Sequence, residues 1–226
     1  AETLAYPRSR VVVTYPGIDD AFVNRQATPP RLARGEPLRV VSVGRLVARK
    51  GFDRVIESLA VLRSRGLQAT CTLVGKGDQE PLRSLAERMG VADLVTFAGY
   101  VPDTEALINA LREAHVLAMV SRVEGGGTDV EGFGTVYLEA GALKRPAVAG
   151  RSGGVPEAVV HGETGLLVDN PDSPEAIADA FAELIEHPAL LRRMGEAACR
   201  RVHESFRQPV LYARLHEELR RLVSAE

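Results

Sequence analysis

Leu38-Arg39-Val40-Val41-Ser42-Val43-Gly44-Arg45-Leu46-Val47-Ala48-Arg49-Lys50-Gly51-Phe52-Asp53-Arg54-Val55-Ile56-Glu57-Ser58-Leu59 changes its period halfway along. Leu38–Val43 is short and rich in β-branched residues, as a strand buried on both faces of a parallel sheet must be. From Phe52 the apolar residues Phe52, Val55, Ile56 and Leu59 recur at i, i+3, i+4 and i+7, the stripe of an amphipathic helix. Between them lies a basic loop bounded by Gly44 and Gly51.

The same unit repeats outward in both directions. Further strands are predicted at Val11–Thr14, Ala69–Val74, Leu94–Ala98, Val116–Val120, Pro146–Ala149 and Gly165–Val168. Leu82, Leu85, Ala86 and Met89 form a second helical stripe. Ala106, Leu107, Ala110 and Leu111 form a third, behind Asp103 as a capping residue. Strand, helix and strand in alternation mean βαβ units with right-handed crossovers. The fold class is therefore α/β, a Rossmann-like, doubly wound parallel sheet. After Gly165–Val168 the pattern is helical only. Ser173-Pro174 reads as an N-cap and first-turn proline, and Ile177, Phe181, Leu184 and Ile185 line one face. A second helix is predicted from Ala189 to Glu204, and a third carries Val210, Leu211, Leu215, Leu219 and Leu222. These form a C-terminal helical cap. The Pro- and Arg-bearing segment Ala27–Pro37 reads as a linker or surface loop.

The 226 residues suit one large domain, taken here as residues 1–226, better than two. A formal net charge of -2 does not suggest nucleic acid as a bulk electrostatic partner. Arginines outnumber glutamates from Pro188 onward, which reads as a solvated helical face. Cys71 and Cys199 fall in a strand and a helix, so no disulfide scaffold is indicated and a reducing cytoplasm is the natural compartment. No eighteen-residue apolar run and no secretory leader are read. The chain opens at Ala1 without a methionine, which fits a fragment as well as a natural start.

Ligands of open α/β sheets bind beyond the C-terminal ends of the strands, so the loops there carry the chemistry. In the first, Arg45 offers a planar fork and Lys50 a point charge, a pair suited to a diphosphate; it is equally a solvated basic turn. The second, Gly75-Lys76-Gly77-Asp78, lacks the third glycine of a dinucleotide fingerprint, because Glu80 stands there. The third runs from Ser121 to Glu139 through a glycine-rich loop to a helix starting near Gly134, whose free N–H groups suit a phosphate. Glu131 and Glu139 lie before and within that helix. They are acceptors for sugar or ribose hydroxyls, or else an ordinary helix-start acid and a surface acid. The fourth, Ser152-Gly153-Gly154-Val155-Pro156-Glu157, is a tight turn.

Taken in order, Tyr15-Pro16-Gly17-Ile18-Asp19, Gly44-Arg45 to Lys50-Gly51, Val74-Gly75-Lys76-Gly77, Glu131-Gly132-Phe133-Gly134 to Glu139, Gly153-Gly154-Val155-Pro156-Glu157 and His161-Gly162-Glu163-Thr164-Gly165 resemble the C-terminal domain of family 4 glycosyltransferases of the GT-B fold. The resemblance spans Val11 to the C-terminus. It implies that Arg45 and Lys50 bind the donor diphosphate and stabilise it as it leaves. Glu131 would contact the transferred sugar and Glu139 the ribose. The backbone at Phe133, Gly134 and Thr135 would meet sugar and phosphates, with Gly75 and the Tyr100-Val101 turn flanking the base.

Members of the family retain anomeric configuration and need no metal or other cofactor, the donor being a nucleoside-diphosphate sugar; the sequence has no Asp-x-Asp. Where the family has Pro-Asn-Gly, Pro16 here directly precedes Gly17. The segments Asp129–Gly134 and Ala149–Gly154 most resemble actinobacterial phosphatidylinositol mannosyltransferases, which implies GDP-mannose, a lipid-linked acceptor and a peripheral place at the inner membrane face. The family's N-terminal acceptor domain has no counterpart in this chain, which implies an inactive half and self-association through the last helix. The other readings are another GT-B enzyme, such as a sugar-nucleotide epimerase or a pyridoxal-dependent phosphorylase, and a non-catalytic nucleotide-binding module.

Overall fold

The computed structural model describes residues 11–224, with the side chains of 222–224 set aside. The Leu222 side chain of the predicted last stripe thus lies outside the described residues. In order, the elements are α1 (Asp20–Val23), β1 (Leu38–Val43), α2 (Phe52–Ser64), β2 (Ala69–Val74), α3 (Glu80–Arg88), β3 (Val95–Gly99), α4 (Thr104–Glu113), β4 (Val116–Met119) and α5 (Thr135–Ala142). There follow β5 (Ala147–Gly150), α6 (Val155–Ala158), β6 (Gly165–Val168), α7 (Pro174–Glu186), α8 (Ala189–Ser205) and α9 (Gln208–Ser224).

The strands form one six-stranded sheet in the order β3-β2-β1-β4-β5-β6, every pair parallel. This is the doubly wound order, with its switch point between β1 and β4. β4, β5 and β6 are buried along their whole length, because helices cover both sides. α2 packs against α3 and α7, and α5 packs against α8. The helix starts follow local chemistry. The Asp103 carboxylate accepts from Ala106 N–H at 2.6 Å and the Ser173 hydroxyl from Ala176 N–H at 3.2 Å, with Pro174 in the first turn. No helix among the described residues is long and apolar enough to cross a membrane.

The structure corrects several readings. Val11–Thr14 is no strand. It has no ladder partner among the described residues, and Val12 and Val13 are 55% and 63% exposed beside α9. β-Branched composition favours extended backbone, but a strand needs a neighbour to bond. β3 starts one residue late because Ala92–Leu94 closes a 3₁₀ turn. β5 begins after Pro146, which has no N–H to give the ladder, although its carbonyl accepts from Leu117 N–H. Met89 ends α3 and stays exposed. The 27–37 segment is a loop tied to the turn between α5 and β5 by an Arg145 bond to the Thr28 carbonyl.

α5 ends in a Schellman motif, with Arg145 N–H bonding the Ala140 carbonyl and Lys144 N–H bonding that of Gly141, both at 2.9 Å. The left-handed position falls on Lys144, at φ 59°. A side chain there strains the backbone. Lys144→Gly is therefore expected to stabilise the fold by ~0.5–1 kcal/mol. Denaturant unfolding that finds the variant less stable than the parent would rule this out.

Candidate active site

The loops at the C-terminal strand ends close on one another through glycine. A Cβ on Gly75 would lie 1.7 Å from the Gly44 carbonyl oxygen, so the β1 and β2 loops meet backbone to backbone. Gly75 N–H bonds the Gly99 carbonyl at 2.8 Å, which brings the β3 loop alongside. On the other side of the switch point, a Cβ on Gly153 would lie 2.1 Å from the Glu131 carbonyl oxygen, and Gly154 N–H donates to that same oxygen at 2.9 Å. The tight turn after β5 thus fixes the peptide that presents Glu131.

Glu131 sits at the centre. It is 8% exposed. Its Oε2 accepts from Lys50 Nζ at 2.5 Å, from an Arg49 Nη at 3.0 Å and from Ser121 Oγ at 3.2 Å. Burial alone would push this carboxyl up. The Lys50 bond and charge, with Arg49 and Ser121, outweigh burial and hold it below the usual glutamate range. All three donors converge on Oε2; among the described residues none reaches Oε1.

Arg45 differs in kind. It is exposed, and its side chain makes no hydrogen bond or ion pair among the described residues, although its carbonyl accepts from Val47 N–H at 2.8 Å. An unpaired guanidinium beside the switch point can meet a diphosphate without first giving up a partner. Lys50 can do so only by leaving Glu131.

Glu139 is half-buried, and its carboxyl is pushed up to about 7, by burial first and then by the Asp19 carboxylate. It is not the ordinary surface acid that its place in a short helix allows. Thr135 opens α5 behind Gly134, and no side chain caps that end, so its first N–H groups stay available. The Phe133 ring turns into a cluster with Tyr15 and Phe206, at centroid distances of 5.2 and 5.6 Å. Tyr100 is 64% exposed and Val101 half-buried at the rim beyond β3.

Sequence reasoning missed Arg49, the buried member of the basic loop. Its Nε lies 2.8 Å from Asp129 Oδ1, and its carbonyl accepts from Arg122 N–H at 2.9 Å. It also missed Arg122, whose side chain bonds both Asp53 oxygens at 2.9 and 3.0 Å and also Glu124. No local signal separates Arg49 from Arg45 or Lys50, because the partners lie about eighty residues away. Among the described residues no group of His, Cys, Asp and Glu is arranged to hold a metal ion.

A doubly wound parallel sheet with Arg49 and Lys50 paired to a buried Glu131 beside its switch point, and an unpaired Arg45 in the same loop, defines a Rossmann-like α/β protein. The family profile of glycosyl transferases group 1 matches residues 24–201, and the chain belongs to that family. A GDP-mannose-dependent alpha-(1-6)-phosphatidylinositol monomannoside mannosyltransferase of Mycobacterium tuberculosis is 43% identical over 211 residues, covering 91% of this chain and 54% of the relative. The chain thus spans about half the length of such relatives. Anabaena Alr3699/HepE, solved in complex with UDP-glucose, superposes with a TM-score of 0.76 over 96% of this chain and 59% of its own, at 25% identity. The solved C-terminal domain of a group 1 glycosyl transferase from Francisella tularensis is covered along 100% of its length by 85% of this chain, with a TM-score of 0.68 and 23% identity.

Proposed function

We propose that this chain is the donor-binding half of a retaining glycosyltransferase that takes a nucleoside-diphosphate sugar, GDP-mannose, and transfers the sugar to a lipid-linked acceptor held by a further domain. The observation that carries the reading is the division at the switch point between Arg45, whose side chain has no partner among the described residues, and Lys50, bonded to Glu131. The diphosphate gains negative charge as the glycosidic bond breaks. Arg45, already unpaired among the described residues, and Lys50, once turned from Glu131 on donor binding, are both in place before the bond breaks and stabilise that developing charge. Oε1 of Glu131 accepts a sugar hydroxyl, Glu139 accepts from the ribose, and the open end of α5 at Gly134 and Thr135 donates to phosphate. Gly75, closed against Gly44, and the Tyr100-Val101 turn flank the base. The mannose donor named for the Mycobacterium relative supports GDP-mannose, and the membrane lipid in that name supports a peripheral place at a membrane surface.

Titration calorimetry with GDP, UDP, ADP and GDP-mannose tests the donor. GDP is expected to bind most tightly, and equal affinity for all three bare nucleotides would overturn the choice of base.

Transfer also needs an acceptor held against the anomeric carbon in a dry cleft. The 226-residue chain alone is therefore expected to bind nucleotide and to transfer no sugar. Val12, Val13, Tyr212, Leu215 and Leu219 form an exposed apolar face along α9, which suits burial against the rest of a longer protein. Left uncovered, that face is expected to pair copies of the chain, seen as a concentration-dependent mass in sedimentation. Robust transfer by the chain alone would defeat the half-enzyme reading, and a monomer at all concentrations would defeat the pairing.

A further inference from the structure

We propose that Arg49 is the positioning residue that keeps the Glu131 carboxylate in place when Lys50 turns to the donor diphosphate, a role that rests on the donor-site reading above. Two cations share one oxygen of Glu131, and they are not equivalent. Lys50 carries its charge on a flexible stem whose Cδ and Cε run past Gly44, next to the free Arg45. Its ammonium can leave Oε2 by rotating about that stem.

Arg49 cannot follow. Its side chain is 10% exposed, and its planar guanidinium spans two carboxylates, Asp129 and Glu131, on either side of Val130. Its carbonyl is held by Arg122 N–H, and Arg122 is in turn anchored on Asp53 through both carboxylate oxygens. Asp53, Arg122, Arg49 and Glu131 thus form one fixed chain across the switch point, from the first turn of α2 to the loop before α5.

The hand-over has an electrostatic requirement. A carboxylate this buried is costly to leave without a counter-charge. If Lys50 were its only cation, each donor that bound through Lys50 would strip Glu131 of its partner at the moment the sugar needs it as an acceptor. Arg49 meets that requirement and leaves Oε1 open. The groups facing this carboxylate are Arg49 and Lys50 from the turn before α2, Ser121 from the end of β4 and Tyr137 from α5. Of these, only Arg49 supplies a positive charge that stays in the loaded site.

The test is calorimetric titration of GDP and GDP-mannose into the chain, its Arg49→Gln and Arg49→Lys variants, and Arg45→Ala and Lys50→Ala. Arg49→Gln is expected to change GDP affinity less than about threefold, while the ratio of GDP-mannose to GDP affinity falls about tenfold. The fall in that ratio is expected to deepen from pH 8 to pH 6, as the uncompensated carboxyl takes a proton. Arg49→Lys keeps the charge but loses the two-carboxylate span, so it is expected to recover part of the ratio; it carries the test if the glutamine variant does not fold. A ratio that stays at the parent value in either folded variant, or an equal loss for both ligands, overturns the proposal. The two readings fail separately. If Arg45→Ala and Lys50→Ala both leave GDP affinity untouched, the donor site itself is wrong. If either weakens GDP but the Arg49 variants keep the ratio, only the role of Arg49 is wrong.

Discussion

Arg45→Ala is expected to weaken the binding of GDP about ten- to a hundredfold and to leave thermal stability unchanged. A charge-assisted hydrogen bond contributes roughly 1.5–3 kcal/mol, which converts to that range of affinity. Stability is spared because the exposed Arg45 side chain has no protein partner to strand. Lys50→Ala is expected to behave differently. It loses a comparable share of binding, but it also removes the closest partner of a buried carboxylate, so its melting temperature should fall as well. Calorimetry on both variants, with thermal unfolding followed by circular dichroism, makes the comparison. Unchanged affinity in both would remove the diphosphate from this crevice; equal melting losses in both would contradict the distinction between a free and a paired cation.

Glu139→Gln is expected to gain stability and lose affinity. The parent carboxyl is pushed up from 4.5 to about 7 by burial and by Asp19. A group whose pKa is higher folded than unfolded binds extra protons in the folded state between those two values. Its stabilising contribution is complete below about 4.5 and is lost as pH rises through about 7. At pH 8 the ionised side chain is therefore a liability that glutamine removes, by ~1–2 kcal/mol after allowing for its partial exposure.

Ribose hydroxyls donate to the carboxylate, so binding draws on the ionised form. Nucleotide affinity is expected to drop about tenfold from pH 8 to pH 6 in the parent, beyond the slope seen in Glu139→Gln, which isolates the titration of the nucleotide phosphate. Glu131→Ala, by contrast, should spare bare GDP and impair only sugar-dependent steps, since its free oxygen faces the sugar in the proposed arrangement. Parallel pH slopes in parent and Glu139→Gln would detach Glu139 from the nucleotide. Equal losses of GDP in Glu131→Ala and Glu139→Ala would end the division of labour.

The gain and loss at Glu139 have one cause. A carboxylate poised beside Asp19, with no hydrogen-bond donor among the described residues, is unfavourable until a ligand supplies its hydroxyls. Functional sites tolerate such groups at the expense of stability.

The architecture was legible in the sequence because it rests on local periods. β1 and α2 announce themselves in adjacent residues, and so do the caps at Asp103 and Ser173, since each helix start is settled by a side chain three residues from the N–H it accepts. The place of the candidate site rests on the same reading, as loops at C-terminal strand ends converge in any doubly wound sheet. Tertiary structure decided what depends on distant partners. Val11–Thr14 has the composition of a strand, yet no neighbour offers it a ladder. Three basic residues stand together in one loop, and only the fold buries Arg49 against a glutamate eighty-two positions later while leaving Arg45 free. Glu139 reads equally as a hydroxyl acceptor or a surface acid until the start of α1 brings Asp19 against it. Burial and charge pairing act through space with no period along the chain, so residue order alone does not encode them in a form that can be read off.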